Sequence, residues 1–478
     1  MFTMKKIPLF LLLLLIASCT AGQTTNPDIH NKIDSIFREY DSLKPGVAIA
    51  VIKDGKLTFK KGYGLANLEY NIPITPETKF HVASVSKQFT AFSIYLLKKA
   101  GKLELEDDVR KYIPELPKYS NGIKIKHLLA HTSGIRDQWA LLTLAGWQME
   151  DVITTEQILK LINAQKELNF ESGSQYGYSN SGYTLLAEIV SRVSGKSFSD
   201  FTRENIFIPL GMTNTLFNND FHNVIKNNAH SYELVRGQYE ERKLNYSTTG
   251  ATSLVTTIED LAKWILNFEN PVVGDHALIK EYNQISTYDN GKPVVWSARP
   301  NDTTYHAKGQ LHWQYNGHNA ISHGGHDAGF RAVLTRFVDS RLAIVTLSNN
   351  EHFQMLGKVL PIADLYLAKP LSSESTVSAP IVPQQQKNNT FNNRLTDYTG
   401  KYYSDELYTT YEIKLINDKL VLTHPRLSDI ILTATGEGKF SGRNSFPFEL
   451  SFNQQSNKVI GFTISNFGVK NLKFLRIN

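Results

Sequence analysis

Ile29, Ile33, Ile36, Phe37 and Tyr40 recur at three- and four-residue intervals, which predicts a helix from about Pro27 with one face for burial. The apolar run Gly46 to Ile52 reads as a buried strand, Asp54-Gly55 as a hairpin turn and Lys56 to Tyr63 as the partner strand. Helical spacing returns at Phe89, Phe92, Leu96 and Leu97 and opens a mostly helical middle that extends to about residue 270. Within it, Leu185, Leu186, Ile189, Val190 and Val193 mark a helix over Tyr183 to Val193 that stops at Gly195. Thr257-Ile-Glu-Asp260, ahead of Leu261, Trp264 and Ile265, has the form of a helix-capping box. Strand patterns resume at Ala332 to Val338 and Leu342 to Ser348, with a turn at Asp339-Ser340. The pattern predicts an α/β chain of the α+β kind. An antiparallel sheet is built from both ends of the domain and flanked by helices, with a helical middle inserted.

The pattern changes near Lys369. Residues 371–391 are rich in Ser, Pro, Gln and Asn without either period, and read as an exposed linker. Residues 392–478 alternate with period two: Tyr411, Ile413 and Leu415, then Leu420 and Leu422 after a turn at Asn417-Asp418, and later Phe448, Leu450 and Phe452. This predicts a small all-β barrel or sandwich. At the other end, Lys5 and Lys6 precede an apolar run from Ile7 to Ala17 that is too short to span a bilayer. Residues 1–19 therefore read as a targeting segment and residues 20–370 as the main domain. The run closes in Ile16-Ala17-Ser18-Cys19, and Cys19 is the single cysteine of the 478-residue chain. No disulfide is then possible within one chain, so stability rests on the core. A formal charge of +6, dispersed along the chain, is too weak to argue for a nucleic-acid partner.

Three short motifs carry candidate chemistry. Ser84 precedes Lys87 by three residues at the start of an apolar-periodic helix, so hydroxyl and amine share one face. Alone, this pair is more often a helix cap beside a solvated lysine. If burial lowers the lysine's pKa, it can instead take the serine proton and activate a nucleophile. Tyr178-Ser179-Asn180 precedes the Tyr183 helix. A phenol beside an ammonium is expected to have a lowered pKa and to relay protons, and the Asn180 amide can bind a substrate carbonyl and hold the lysine. Ser322-His323-Gly324-Gly325 precedes the last hairpin, as the edge strand of the sheet, where glycines admit a substrate backbone. An N–H of that strand and the N–H of Ser84 can together form an oxyanion hole.

With all three in this order, the chain resembles the serine β-lactamase and penicillin-binding-protein superfamily, in the branch that holds class C β-lactamases, D-alanyl-D-alanine carboxypeptidases and related esterases. His127-Leu-Leu-Ala-His131-Thr-Ser-Gly134-Ile135, Tyr178 to Tyr183, Ile208-Pro-Leu-Gly-Met212 and Gly250 to Asp260 extend the resemblance over about residues 30–365. It implies Ser84 as the acylated nucleophile, Lys87 as its base partner and Tyr178 as general acid/base. Asn180 would orient the substrate, with His323, Gly324 and Gly325 lining the pocket opposite. The tail resembles the lipocalin-like domain appended to some of these proteins. Ile16 to Cys19 resembles a bacterial lipobox, which implies a lipid anchor at Cys19 as the contact with a membrane and a place in the cell envelope.

One departure narrows the substrate. Class C β-lactamases carry Lys-Thr-Gly where this chain has His323-Gly324-Gly325, and a histidine is only partly charged near neutrality. The anchor for a penicillin carboxylate is thereby weakened, which favours an ester, an amide or a D-amino-acid peptide such as one derived from peptidoglycan. Arg331 is either a substitute cation or a solvated strand residue. The alternative reading is a penicillin or peptidoglycan sensor or a slow β-lactamase, which needs acylation without fast release. His306, His312, His318, His323 and His326 crowd one window, yet no zinc-binding spacing is present, and no metal or cofactor is expected. His127 and His131 are assigned to packing and hydrogen bonding.

Overall fold

The computed structural model describes residues 27–368 and 394–477, apart from Asp41, Pro300, Asn301 and Asn457. The expected targeting segment with Cys19 and the expected linker over 371–391 lie outside the described residues.

Helix α1 (Pro27–Phe37) leads into strands β1 (Val47–Lys53) and β2 (Lys56–Tyr63), joined at Asp54-Gly55, both with positive φ as the tight turn demands. Helix α2 (Ser86–Lys99) follows, then α3 (Gln138–Leu144), α4 (Asn180–Ser194) and α5 (Ile258–Glu269). Gly195 ends α4 in the left-handed conformation at φ 71°, and the Thr257 side chain caps α5 by accepting the Asp260 N–H at 3.2 Å. The sheet resumes with β3 (Val295–Arg299), β4 (Asp302–Ala307), β5 (Gln310–Tyr315), β6 (His318–Asp327), β7 (Phe330–Phe337) and β8 (Leu342–Ser348), and helix α6 (Met355–Ala363) follows.

Strand order is β3-β4-β5-β6-β7-β8-β1-β2, antiparallel throughout, so the first hairpin pairs with the last strand through β1 and β8. Both faces are covered. Val47, Ile49, Val51, Val333 and Ile344 face α1 and α6, whereas Ala48, Ala50, Ile52, Leu334 and Val345 face the helical middle. That is why these strands read as continuous apolar runs.

Two expectations need correction. The helical middle also contains short strands, among them Phe80–His81 paired with Leu254–Thr256. The sheet has three strands, β3 to β5, that the pattern did not reveal; β5 is only partly buried, which blurs its alternation.

The C-terminal part forms a second antiparallel sheet of nine strands that curls into a nearly closed barrel. Its edges, Leu427–Ile431 and Thr433–Gly436, are consecutive in the chain. The interior is filled by side chains: Tyr402, Phe462 and Phe474 pack ring on ring, with Leu450, Ile464 and Leu472 fully buried beside them. Tyr411, Ile413, Leu420 and Leu422 point inward as expected, but Leu415 is 38% exposed near the end of its strand. The buried apolar residues of the barrel and of the helical middle form one continuous cluster. Among the described residues, no helix is long and apolar enough to cross a membrane.

Candidate active site

The chain leaves strand Phe80–His81 and turns through Ala83, held at φ +48°, into a short 3₁₀ turn at Ala83–Val85 that feeds α2. Ser84 therefore stands one turn ahead of the α-helix rather than within it, and Lys87 is the helix's second residue. A left-handed alanine costs about 1–2 kcal/mol, and the surrounding contacts hold it in place. Val82 N–H donates to Leu254 O at 3.0 Å, Ser86 Oγ accepts from Leu254 N–H at 3.0 Å, and Thr90 Oγ1 donates to Gly250 O at 2.7 Å. Gly250, at φ +95°, lies so close to Tyr183 O that a Cβ would approach within 2.5 Å. These contacts fix the segment that presents the Ala251 carbonyl to Lys87.

Lys87 is fully buried. Its Nζ lies 2.9 Å from Ser84 Oγ, 2.8 Å from Asn180 Oδ1 and 2.7 Å from Ala251 O. The latter two oxygens can only accept. A neutral amine thus spends its two hydrogens on them and aims its lone pair at the Ser84 hydroxyl; an ammonium donates to all three. Desolvation lowers the Lys87 pKa to about 7, against the opposing pull of the Asp327 and Asp137 carboxylates. The structure thus places Lys87 buried beside Ser84, the arrangement on which its expected role depends.

Tyr178 donates its phenol O–H to Ser84 Oγ at 3.0 Å, from the loop ahead of α4. The expectation for its pKa fails. Burial outweighs every other influence and raises the phenol well above its ordinary value, so Tyr178 is a proton donor and not a tyrosinate. Asn180 is the first residue of α4, and its backbone and side-chain N–H groups both donate to Asp137 Oδ2, at 2.7 and 2.8 Å. Asp137 also caps α3, accepting the Trp139 and Ala140 N–H groups on Oδ1. Burial pushes its carboxyl pKa upward, but every one of these four contacts is a donor, so the ionised form is the one they satisfy.

The third motif lies on β6, which is not an edge strand overall: β7 flanks one side and β5 the other. Pairing with β5 ends at Ser322, however, so His323 to Asp327 overhang with that side unpaired. The strand meets the Ser84 turn at Gly325, where a Cβ would lie 2.1 Å from Val82 O. Gly324 has room for a side chain; Gly325 does not. His323 donates Nδ1–H to Gly324 O at 2.6 Å, which leaves Nε2 as an acceptor, and burial lowers its pKa to about 4. It is a neutral imidazole, not a cation. Arg331 is neither of the two things expected of it, since its guanidinium is buried and donates to the carbonyls of Ala328 and Phe330.

Several contributors escaped the sequence reading. Asp137 and the Ala251 carbonyl hold Asn180 and Lys87. Asp327, beyond the glycines, is gripped by Thr252 and by His81 Nε2 at 2.7 Å, which pins β6 to the strand ahead of Ser84. His131, at φ +55°, lays its ring 4.3 Å from that of Tyr178 and accepts the Ser179 N–H on Nδ1. Its motif, His127 to Ile135, was visible in the sequence, but its contact with Tyr178 was not. Ser84, Tyr178, Asn180 and His323 open onto a cleft of about 800 Å³ walled by Trp139, Tyr176, His306, Trp313, Met355 and Leu360, with Arg299 at its exposed rim.

Comparison with known proteins places this arrangement. A D-aminopeptidase of Gluconobacter oxydans is 28% identical over 307 residues, which is 64% of this chain and 56% of that protein. The chain thus spans just over half the length of that relative. Among solved structures, the octameric penicillin-binding protein homologue from Pyrococcus abyssi has a TM-score of 0.64 at 21% identity, over 94% of this chain and 99% of that one. The D-amino acid amidase from Ochrobactrum anthropi, in complex with D-phenylalanine, has a TM-score of 0.58 at 22% identity, over 70% and 98%. These two likenesses are of fold. The Beta-lactamase family model matches residues 33–369, which contain the whole of the Ser84 centre. With a match over more than half its length, the chain belongs to the Beta-lactamase family.

Proposed function

We propose that this chain is a serine hydrolase that forms an acyl-enzyme at Ser84 and cleaves an ester, amide or D-amino-acid peptide bond. The observation that carries the reading is the convergence of Lys87 Nζ and the Tyr178 phenol on Ser84 Oγ, within 3.0 Å of it. Ser84 Oγ attacks the substrate carbonyl carbon as its proton passes to neutral Lys87. The tetrahedral oxyanion is stabilised by the Ser84 N–H and an N–H from the unpaired rim of β6. Collapse breaks the bond to the leaving group, which takes its proton from Tyr178, and Lys87 returns a proton to the phenol. Water then repeats the sequence on the acyl-serine and releases the acid.

The lining supports a substrate class. Neutral His323 offers an acceptor and no positive charge, so a free carboxylate gains little there, whereas aromatic walls suit an apolar acyl group. The D-aminopeptidase relative supports amide or peptide substrates of D-configuration. A fluorophosphonate is expected to add its mass at Ser84. In a turnover panel, a D-aminoacyl amide and an ester should be hydrolysed at least tenfold faster than a cephalosporin. Absence of label at Ser84 would reject the mechanism; labelling by the cephalosporin in one burst without turnover of any substrate would identify a sensor instead.

Lys87 sets the pH dependence. Its pKa near 7 lies below the ordinary lysine value, so the neutral, proton-accepting form is lost as pH falls through 7. For a neutral ester, kcat/KM should fall about tenfold per pH unit below that point and stay level from about 8 to 9, because the phenol of Tyr178 is raised and not lowered. A profile flat down to pH 5 would show that Lys87 is not the base.

A further inference from the structure

We propose that the C-terminal barrel positions the acylation centre, through Gly468 and Glu406, which hold the Arg136–Asp137 step of the hydrolase domain. This inference rests on the reading of Ser84 and Lys87 given above. The barrel, residues 394–477, lies wholly outside the 33–369 stretch that defines the family.

The two parts also meet around Trp147, Asp151 and His424, but one set of contacts lands on the Arg136–Asp137 step. The loop after strand Lys458–Ser465 is braced from within: Asn466 Oδ1 accepts the N–H groups of Gly468 and Val469 at 3.0 and 2.9 Å, and Asn466 N–H donates to Val469 O at 2.7 Å. Gly468 O then accepts the backbone N–H of Asp137 at 2.8 Å and the Asn169 side-chain N–H at 3.0 Å, while Asn169 Oδ1 takes the Lys470 N–H at 2.7 Å. The approach leaves no space, since a Cβ on Gly468 would come within 2.6 Å of Asp137 Cβ and 3.1 Å of Ala140 Cβ. One residue earlier, Arg136 donates to Glu406 Oε2 at 2.7 Å, to Gln165 Oε1 at 2.9 Å and to Lys470 O at 3.0 Å. The Arg136 and Glu406 side chains are 1% and 3% exposed. Glu406 Oε2 also receives the Lys166 N–H, and Glu406 O the Gln165 amide.

Asp137 is two hydrogen bonds from the amine that faces Ser84. Gly468 O holds Asp137 N–H, Asp137 Oδ2 holds both N–H groups of Asn180, and Asn180 Oδ1 holds Lys87 Nζ. A displacement of Asp137 therefore moves the acceptor that orients Lys87, and angular or sub-ångström errors at such a base are costly in rate. The apolar surface shared by the two parts does not by itself require a hydrogen bond to this residue.

The test uses the full chain, a chromogenic ester and a fluorophosphonate. Gly468→Ala presses on Asp137 without touching the cleft, and Asn169→Ala loosens the same loop more gently. Both should stay folded by circular dichroism. Gly468→Ala should lower kcat and the rate of Ser84 labelling about tenfold with KM changed less than twofold, and Asn169→Ala about threefold. Ile416→Thr, on an exposed position elsewhere in the barrel, should leave both rates unchanged. If Gly468→Ala fails to fold, Asn169→Ala decides alone. Folded variants that label within twofold of the unaltered chain, or that lose only thermal stability, overturn the assignment. Failure of the unaltered chain to label at Ser84 would instead reject the reading on which it rests.

Discussion

Lys87→Met is expected to reduce acylation of Ser84 by about three to four orders of magnitude. Methionine matches the length of the lysine stem and fills the same buried slot, but it cannot take the serine proton. The fold should survive, because two effects oppose each other. The substitution removes an amine whose burial already disfavours its charged form, and it leaves Asn180 Oδ1 and Ala251 O without that donor. Rapid mixing with a fluorophosphonate, read by intact mass, measures the rate; thermal unfolding checks the fold. A variant that remains folded and keeps a tenth of the labelling rate would show that Ser84 is activated by something other than Lys87.

Glu406→Ala should be strongly destabilising although it lies outside the centre. It strands the Arg136 guanidinium in a site where the side chain is 1% exposed, and it deprives Lys166 N–H of its acceptor. Removing one partner of a buried ion pair costs about 3–5 kcal/mol. The remaining bonds from Arg136 to Gln165 and Lys470 hold the loss near the lower figure. For a chain of this size, whose unfolding entropy is about 1 kcal/mol per kelvin, the thermal midpoint should drop by roughly 3 °C. The double variant Arg136→Met, Glu406→Leu should recover much of that drop, since apolar replacement of both partners removes the unpaired charge. Differential scanning fluorimetry across the three proteins measures it. A single variant within about 1 °C of the unaltered chain would show that the pair contributes no stability.

The parts of the fold legible in the sequence are those whose causes are local. Period 3.6 at Ile33 and Phe37, the stop at Gly195 and the cap at Thr257 each depend on neighbours within a few residues, and the structure places them where the pattern did. Spacing of three between Ser84 and Lys87 likewise fixed their proximity. What stayed hidden was non-local. Asp137 and Asn180 are 43 positions apart, and Arg136 and Glu406 are 270 apart, so no periodicity links them. The Tyr178 pKa was misjudged because the dominant influence is burial, a property of the assembled core and not of the neighbouring lysine. Strands β3 to β5 were missed because the sheet extends there into partly exposed surface, where burial no longer enforces alternation.

The arrangement around Lys87 Nζ has one further consequence. Its three oxygen neighbours are matched whether the nitrogen carries two hydrogens or three. In the proposed transfer of a proton from serine to lysine, no heavy atom has to exchange partners, and none has to return when the proton goes back. On that mechanism, the reorganisation that water would demand is already built into the folded chain, and the same frame would serve formation and breakdown of the acyl-serine alike.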